Sequence, residues 1–303
     1  SCSIAVAACV VAGVVFLGGI WSGQKSVAPQ RPAQARQLLP GDQGNRKPHV
    51  LIVGAGISGL SAALELGRGG ADVTVVDMSS VFGGHAVMSQ GGVSVIDSPL
   101  QREVGINDSP ELAYGDFIRW GEDADADWVR YYVDHSRSDI YQWLTDLGVR
   151  FESVLTAPGN SVDRFHQPDG RGIGLVLPIY RACLQHDSIR FVWNAQATKL
   201  RTENEQIVGI DVRHLRDGRE ESLSADVVVL ATGGFQSNLD MVREFWPRDV
   251  TFPERLLAGS GRNSIGLGHR MAQDVGGQLV KMDHQWNYFT GIPDPRRPES
   301  NHG

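Results

Sequence analysis

Short apolar runs alternate with glycine-rich turns from about residue 50 onward. Val50–Val53 is four consecutive apolar residues, the length of a buried strand. Gly54–Gly59 breaks the run as a turn. Leu60–Arg68 follows with small residues on one side, as in a helix that lies close to a sheet. Ala71–Asp77 is a second apolar run and predicts a second strand. Residues 110–147 predict helix. Pro110 suits a first turn, and Trp128, Tyr131, Tyr132, His135, Ile140, Trp143, Leu144 and Leu147 recur at helical spacing. Gly174–Gln185 predicts a further helix. Ile189–Trp193, Ile207–His214 and Asp226–Ala231 predict strands, with Arg216-Asp217-Gly218-Arg219 as a hairpin turn. Asn263–Val275 predicts a helix stopped by Gly276-Gly277.

The N-terminus follows a different pattern. Ile4–Trp21 is a run of 18 residues, all apolar or Gly. At about 1.5 Å rise per residue, such a helix nearly spans a hydrocarbon core of about 30 Å. Residues 1–24 therefore predict a membrane anchor or signal-type helix. Ala33-Gln34-Ala35 has the form of a cleavage site, but it lies farther past the apolar run than a signal peptide places it. Lys25, Arg31, Arg36, Arg46 and Lys47 follow the run, which by the positive-inside rule points to the cytoplasmic face. Residues 25–47, rich in Gln, Pro, Gly and Arg, read as a flexible linker. Composition narrows the function classes. A 41% hydrophobic content over 303 residues supports a real core. A net charge of −7 without a basic patch argues against nucleic acid. Cys2, Cys9 and Cys183 form no CxxC or Cys/His cluster, so no metal site or disulfide framework is indicated.

The candidate chemistry begins at Gly54-Ala55-Gly56-Ile57-Ser58-Gly59. Gly54 permits the tight turn off the strand. Gly56 lets the backbone approach a pyrophosphate, and Gly59 lets the helix pack on the sheet. The helix N-terminus offers free N–H groups and a positive dipole end to phosphates. Asp77, at the end of the second strand, is placed to hydrogen-bond ribose hydroxyls. The fingerprint specifies a dinucleotide without choosing between NAD and FAD. Two further segments bear on that choice. Gly83-Gly84-His85-Ala86-Val87-Met88-Ser89-Gln90-Gly91-Gly92 has paired glycines at both ends, which let a backbone loop run close to a flat ligand. Asp226–Gly234 is a strand ending in Ala231-Thr232-Gly233-Gly234.

On these motifs, residues 48–290 resemble the flavoprotein family of succinate dehydrogenase and fumarate reductase, which includes soluble fumarate reductases and 3-ketosteroid dehydrogenases. The resemblance implies an α/β fold: a Rossmann-like FAD-binding domain over 48–285, with a parallel sheet, helices, a smaller antiparallel sheet and a helical insertion at about 100–185. Residues 286–303 would begin an incomplete capping domain. FAD is the implied cofactor. Gly54, Ala55, Gly56, Ser58, Gly59, Asp77, Gly84, His85, Ala86, Gly91, Gly92, Thr232 and Gly233 are its implied contacts. Ala197, in Asn194–Thr198, falls where the family touches the adenine end through backbone groups. Three roles fit His85: a covalent link to FAD, as in the succinate dehydrogenase branch; a non-covalent hydrogen bond; or an ordinary histidine. The Gly83-Gly84 pair resembles the soluble, non-covalent branch. The loop His166–Gly172 resembles a family loop that shapes the cofactor cleft. Leu267 stands where the family carries an acid.

The resemblance implies hydride transfer between flavin and a carbon next to a carbonyl or carboxylate. The implied partners are a dicarboxylate or steroid-like substrate, an electron-transfer partner of unknown type, and the membrane through residues 4–21. Neither His284 nor His302 fits the family's substrate-side motif, so no catalytic residue is assigned. Two readings stand side by side: a fragment of an FAD-dependent oxidoreductase, inactive alone, or a membrane-tethered FAD-binding protein that is not catalytic by itself. An NAD(P)-dependent Rossmann enzyme is disfavoured by the Gly83–Gly92 loop and the Ala231–Gly234 strand end.

Overall fold

The computed structural model describes residues 46–121, 123–259, 261–285 and 291–296. The apolar run Ile4–Trp21 and nearly all of the linker lie outside the described residues. Among those described, no helix is long and apolar enough to cross a membrane.

The centre is a parallel sheet of β1 (His49–Val53), β2 (Asp72–Asp77), β6 (Ile189–Trp193) and β10 (Val227–Leu230), in the order β10-β1-β2-β6. These strands read as continuous apolar runs because both faces are covered. On one face Val50, Ile52, Val73 and Val75 pack with Leu60, Ala63 and Leu64 of α1 (Ile57–Arg68) and with Leu175, Val176 and Ile179 of α6 (Arg171–Cys183). On the other, Leu51, Val53, Val76 and Leu230 meet an antiparallel sheet of β7 (Ala195–Glu203), β8 (Gln206–His214) and β9 (Glu220–Ser224). Met271 and Ala272 of α8 (Leu267–Asp274) complete that core. The hairpin at Arg216–Arg219 stands where the sequence places it, with Gly218 at φ 73° and its N–H on the carbonyl of His214.

Between β2 and β6 the chain leaves the sheet, and here the expectations need correction. The expected helical stretch 110–147 is divided. Helix α3 (Pro110–Trp120) stops at Gly121, and α4 (Ala126–His135) starts afresh under an Asp125 cap that accepts from the N–H of Asp127 and Trp128. A π-helical segment, Ser136–Gln142, then leads into α5 (Trp143–Asp146). The insertion also carries its own antiparallel sheet, in the order β3 (Val93–Ser94), β5 (Phe165–Pro168), β4 (Phe151–Leu155). There are thus two antiparallel sheets where one was expected. The short helices α2 (Pro99–Glu103) and α7 (Leu239–Glu244) were not expected either.

A buried ionic network holds this insertion together. Arg164 is fully buried, with Nε and Nη2 on the two carboxylate oxygens of Asp108 at 2.8 Å and Nη1 on Asp116 at 2.5 Å. Burial alone would raise the Asp116 pKa. The Ser161 hydroxyl and N–H, with Arg164 and Arg119, instead hold it well below the usual carboxylate range. Gln101 joins by donating to Asp108, and its N–H is capped by Ser98. Removing the cation leaves two buried carboxylates facing each other. Arg164→Met is therefore expected to cost about 3–5 kcal/mol, read as a lower urea midpoint. A variant that unfolds at the wild-type midpoint would contradict the network's role.

Candidate functional site

The candidate residues converge on the carboxyl edge of the parallel sheet, where open α/β folds place ligands. Gly54 leaves β1 at φ 111°, a conformation suited to Gly. Its N–H donates to the Val76 carbonyl at 2.8 Å, and Ala231 donates to Val53 at 2.8 Å. Three adjacent strands thereby hold the turn. A methyl on Gly59 would collide with the Gly54 carbonyl, its carbon being 3.0 Å away, so α1 packs directly on the turn. Ser58 lies buried in the first turn of α1.

Gly56 caps α1 with extended backbone (φ −73°, ψ −179°), and a methyl there would meet no protein atom within 4 Å. The first turn of α1 has no side-chain cap and no acidic residue. A helix start that no N-cap side chain closes and no acidic residue crowds is suited to a phosphate. Asp77 lies opposite. Its carboxylate accepts the N–H of Ala55 at 2.6 Å and of Ser79 at 2.7 Å, tying the turn to the end of β2. Burial raises the Asp77 pKa above its ordinary value, and the two N–H bonds oppose that rise. Each oxygen keeps lone pairs for a further donor.

The second loop lies on the first. Gly83 donates to the Ala55 carbonyl at 2.7 Å and forms a parallel bridge with Gly56. Gly84, at φ 53°, stands so close that a methyl would be 3.3 Å from the Gly56 Cα. His85 is exposed, and its ring makes no hydrogen bond among the described residues. Ala86 opens a 3-10 turn, and its carbonyl accepts from the N–H and hydroxyl of Ser89. Gly91 (φ 74°) and Gly92 are packing glycines. A methyl on Gly91 would be 2.7 Å from the Arg171 carbonyl carbon, and one on Gly92 would enter the Phe165 ring.

Thr232 and Gly233 complete the edge. Helix α8 abuts Thr232 through Gly268, where a Cβ would strike the threonine side chain. Gly266 (φ 79°) donates to Gly234 at 3.2 Å. The expected helix at Asn263 therefore starts only at Leu267, because Gly266 turns left-handed before it. Ala197 is the outlying candidate. Its methyl is buried with Val53 and Val76, so only its backbone, on an edge strand, is available to a ligand.

His166 is not a cleft residue. It is fully buried in β5, where Nδ1 donates to the Arg164 carbonyl at 2.7 Å and Nε2 accepts from Ser98 at 2.6 Å, and burial lowers its pKa. The rest of its loop does support the site. Gln167 donates to the Gln90 carbonyl, and the Gly172 N–H donates to Ser89 at 3.1 Å. Gly172, Gly266 and Gly268 also stand where a Cβ would strike a neighbour, at the Ala86 carbonyl, Met241 and Thr232 respectively. Two cavities, of about 320 and 580 Å³, are lined by none of the candidate residues.

A family model described as an FAD binding domain matches residues 49–301. This chain belongs to that FAD-binding family. It is 31% identical over 279 residues to a KsdD-like steroid dehydrogenase of Mycobacterium tuberculosis, a match covering 80% of this chain and 49% of that protein. It is 30% identical over 240 residues to a fumarate reductase (cytochrome) of Shewanella frigidimarina, covering 78% and 41%. Its fold is similar to that of a 3-ketosteroid-Δ4-(5α)-dehydrogenase from Rhodococcus jostii RHA1 in complex with 4-androstene-3,17-dione. That likeness has a TM-score of 0.70 and 27% identity, and covers 80% of this chain and 56% of the other. The chain spans about half the length of the steroid dehydrogenase that it matches. Its cofactor is FAD.

The geometry separates two glycines. Gly59→Ala forces the helix off the turn and is expected to lower stability by about 1–3 kcal/mol. Gly56→Ala adds a methyl in free space and is expected to cost less than about 1 kcal/mol. Chemical denaturation of the two apoproteins measures the difference. Equal losses would refute the packing described.

Proposed function

We propose that this chain holds the FAD of an oxidoreductase acting on a C–C bond next to a carbonyl or carboxylate. The observation that carries the reading is the convergence of Gly54–Gly59, Gly83-Gly84 and Thr232-Gly233 at one sheet edge, beside an uncapped helix start. In this reading the pyrophosphate lies on the Gly56–Ser58 backbone and the Asp77 carboxylate takes a ribose hydroxyl. The Gly84–Ala86 backbone and Thr232-Gly233 line the rest of the cofactor, and the Ala197 backbone faces the adenine end.

When bound, FAD supplies two-electron chemistry: it takes up or returns a hydride. That chemistry would suit oxidation or reduction of a C–C bond next to a carbonyl or carboxylate, with the residues named above holding the cofactor and an electron-transfer partner completing the cycle. The relatives support the substrate class, since they include a steroid dehydrogenase and a fumarate reductase. In the full-length protein, spectral bleaching by a 3-ketosteroid, or reoxidation of the reduced protein by fumarate, tests the reaction. One of the two is expected, and failure of both would reject it.

We read the cofactor as non-covalent. Gly84 seats its backbone directly against Gly56, as a loop that holds a ligand by close approach would. Acid precipitation of the FAD-loaded protein is expected to leave the yellow flavin in the supernatant. Flavin that stays with the pellet, and is lost from it in His85→Ala, would overturn this.

A further inference from the structure

After α8 the chain turns back toward the insertion. The Lys281 carbonyl accepts the N–H of His284 at 3.2 Å, and Lys281 stands at φ 55°, a left-handed conformation uncommon for a long side chain. The turn brings both side chains to one residue, Asp123, in the loop between α3 and α4. Lys281 Nζ lies 3.4 Å from Asp123 Oδ2 and also donates to the Asp123 carbonyl. His284 Nε2 lies 3.0 Å from Asp123 Oδ1. On the other side, Gln285 donates to the carbonyls of Phe245 at 3.1 Å and Val242 at 3.4 Å, at the end of α7. Residues 281–285 therefore tie the insertion to α7, which follows soon after Ala231–Gly234 in the chain.

His284 is the deciding member. Its second ring nitrogen, Nδ1, lies 3.1 Å from Asp283 Oδ1. Both nitrogens thus face carboxylates, and an ionised carboxylate only accepts hydrogen bonds. A neutral imidazole carries one N–H and can serve one of them. The imidazolium carries two and serves both. Among the described residues, the charged groups around the ring are Asp123 and Asp283, with Lys281 on the other oxygen of Asp123.

We propose that residues 281–285 are a pH-sensitive strap, locked between the insertion and α7 by the imidazolium of His284 and loosened when that ring loses its proton. The hydrogen bond to Asp283 and the charges of Asp123 and Asp283 raise the His284 pKa above its ordinary value, against desolvation. Desolvation alone would raise the Asp123 pKa, and Lys281 and His284 instead hold it below the ordinary value. The sign follows from the raised histidine. The lock is complete below the ring's ordinary pKa of about 6.5 and is lost as pH rises through the higher folded value. The cluster is exposed, so it governs how often the strap opens rather than whether the domain folds.

Amide hydrogen exchange of the full chain, at about pH 6 and about pH 8.5 and corrected for the intrinsic rate, reads strap opening directly. Protection at residues 281–285 is expected to be about two- to fivefold higher at the lower pH, the range of an exposed ion pair. Residues 206–224 serve as the internal reference and are expected to stay level. His284→Gln keeps a single donor group that does not titrate, so its strap protection is expected to be low and equal at both values. Asp283→Asn removes the carboxylate at Nδ1 and is expected to lower the pH at which His284 titrates, read by exchange of the ring C2 hydrogen. Equal strap protection in the wild type at the two pH values would overturn the inference. So would a pH difference that persists in His284→Gln, or a His284 titration unmoved by Asp283→Asn. No cofactor enters the measurement, so its outcome is separate from that of the FAD reading.

Discussion

The carbonyl carbon of Gly54 and the Cα of Gly59 stand so close that one added methyl would be 3.0 Å from that carbon and closer still to its oxygen. The rest of the site depends on this contact. It brings the first turn of α1 down onto the end of β1, so the positive end of the helix dipole lies at the sheet edge. The hydrogen bonds of Gly54 to Val76 and of Ala231 to Val53 then lock the neighbouring strand ends to the same turn. With the turn fixed, Gly83 can bridge to Gly56, and the second loop lies across the first by backbone alone.

That second loop has little core of its own, since Met88 is exposed and Ala86 and Val87 are only partly buried. The insertion props it up. Arg164, neutralised by Asp108 and Asp116, fixes the start of β5, and β5 delivers Gln167 to the carbonyl of Gln90. Helix α6 begins at Arg171 and presses Gly172 beneath Ala86 and Ser89. A buried ion pair of this kind specifies geometry more than it stabilises, because desolvation offsets much of the Coulomb attraction. What it specifies here is the path of a loop at a ligand edge.

The β1-α1-β2 unit was legible in the sequence because its apolar runs, small residues and glycines obey local rules. The same holds for β6, β8, β10 and the hairpin at Gly218. The strands β3, β4 and β9 were not legible. They are two to five residues long and lack a clean buried alternation, so only partners distant in sequence make them strands. His166 was placed at the cleft by resemblance, and packing gives it another part, since the histidine bridges Arg164 and Ser98; Ala197 has its methyl in the core and its backbone on an edge strand. The Arg164 network joins residues 48 and 56 positions apart, a distance at which single-sequence patterns carry no signal.

Amide hydrogen exchange with and without FAD measures the central claim most directly, because the cradle is made of backbone. The account predicts new protection on FAD binding at residues 54–59, 83–92 and 231–234 together, with residues 206–224 unchanged. Protection confined to one of those three segments, or appearing on the β8-β9 hairpin instead, would contradict it.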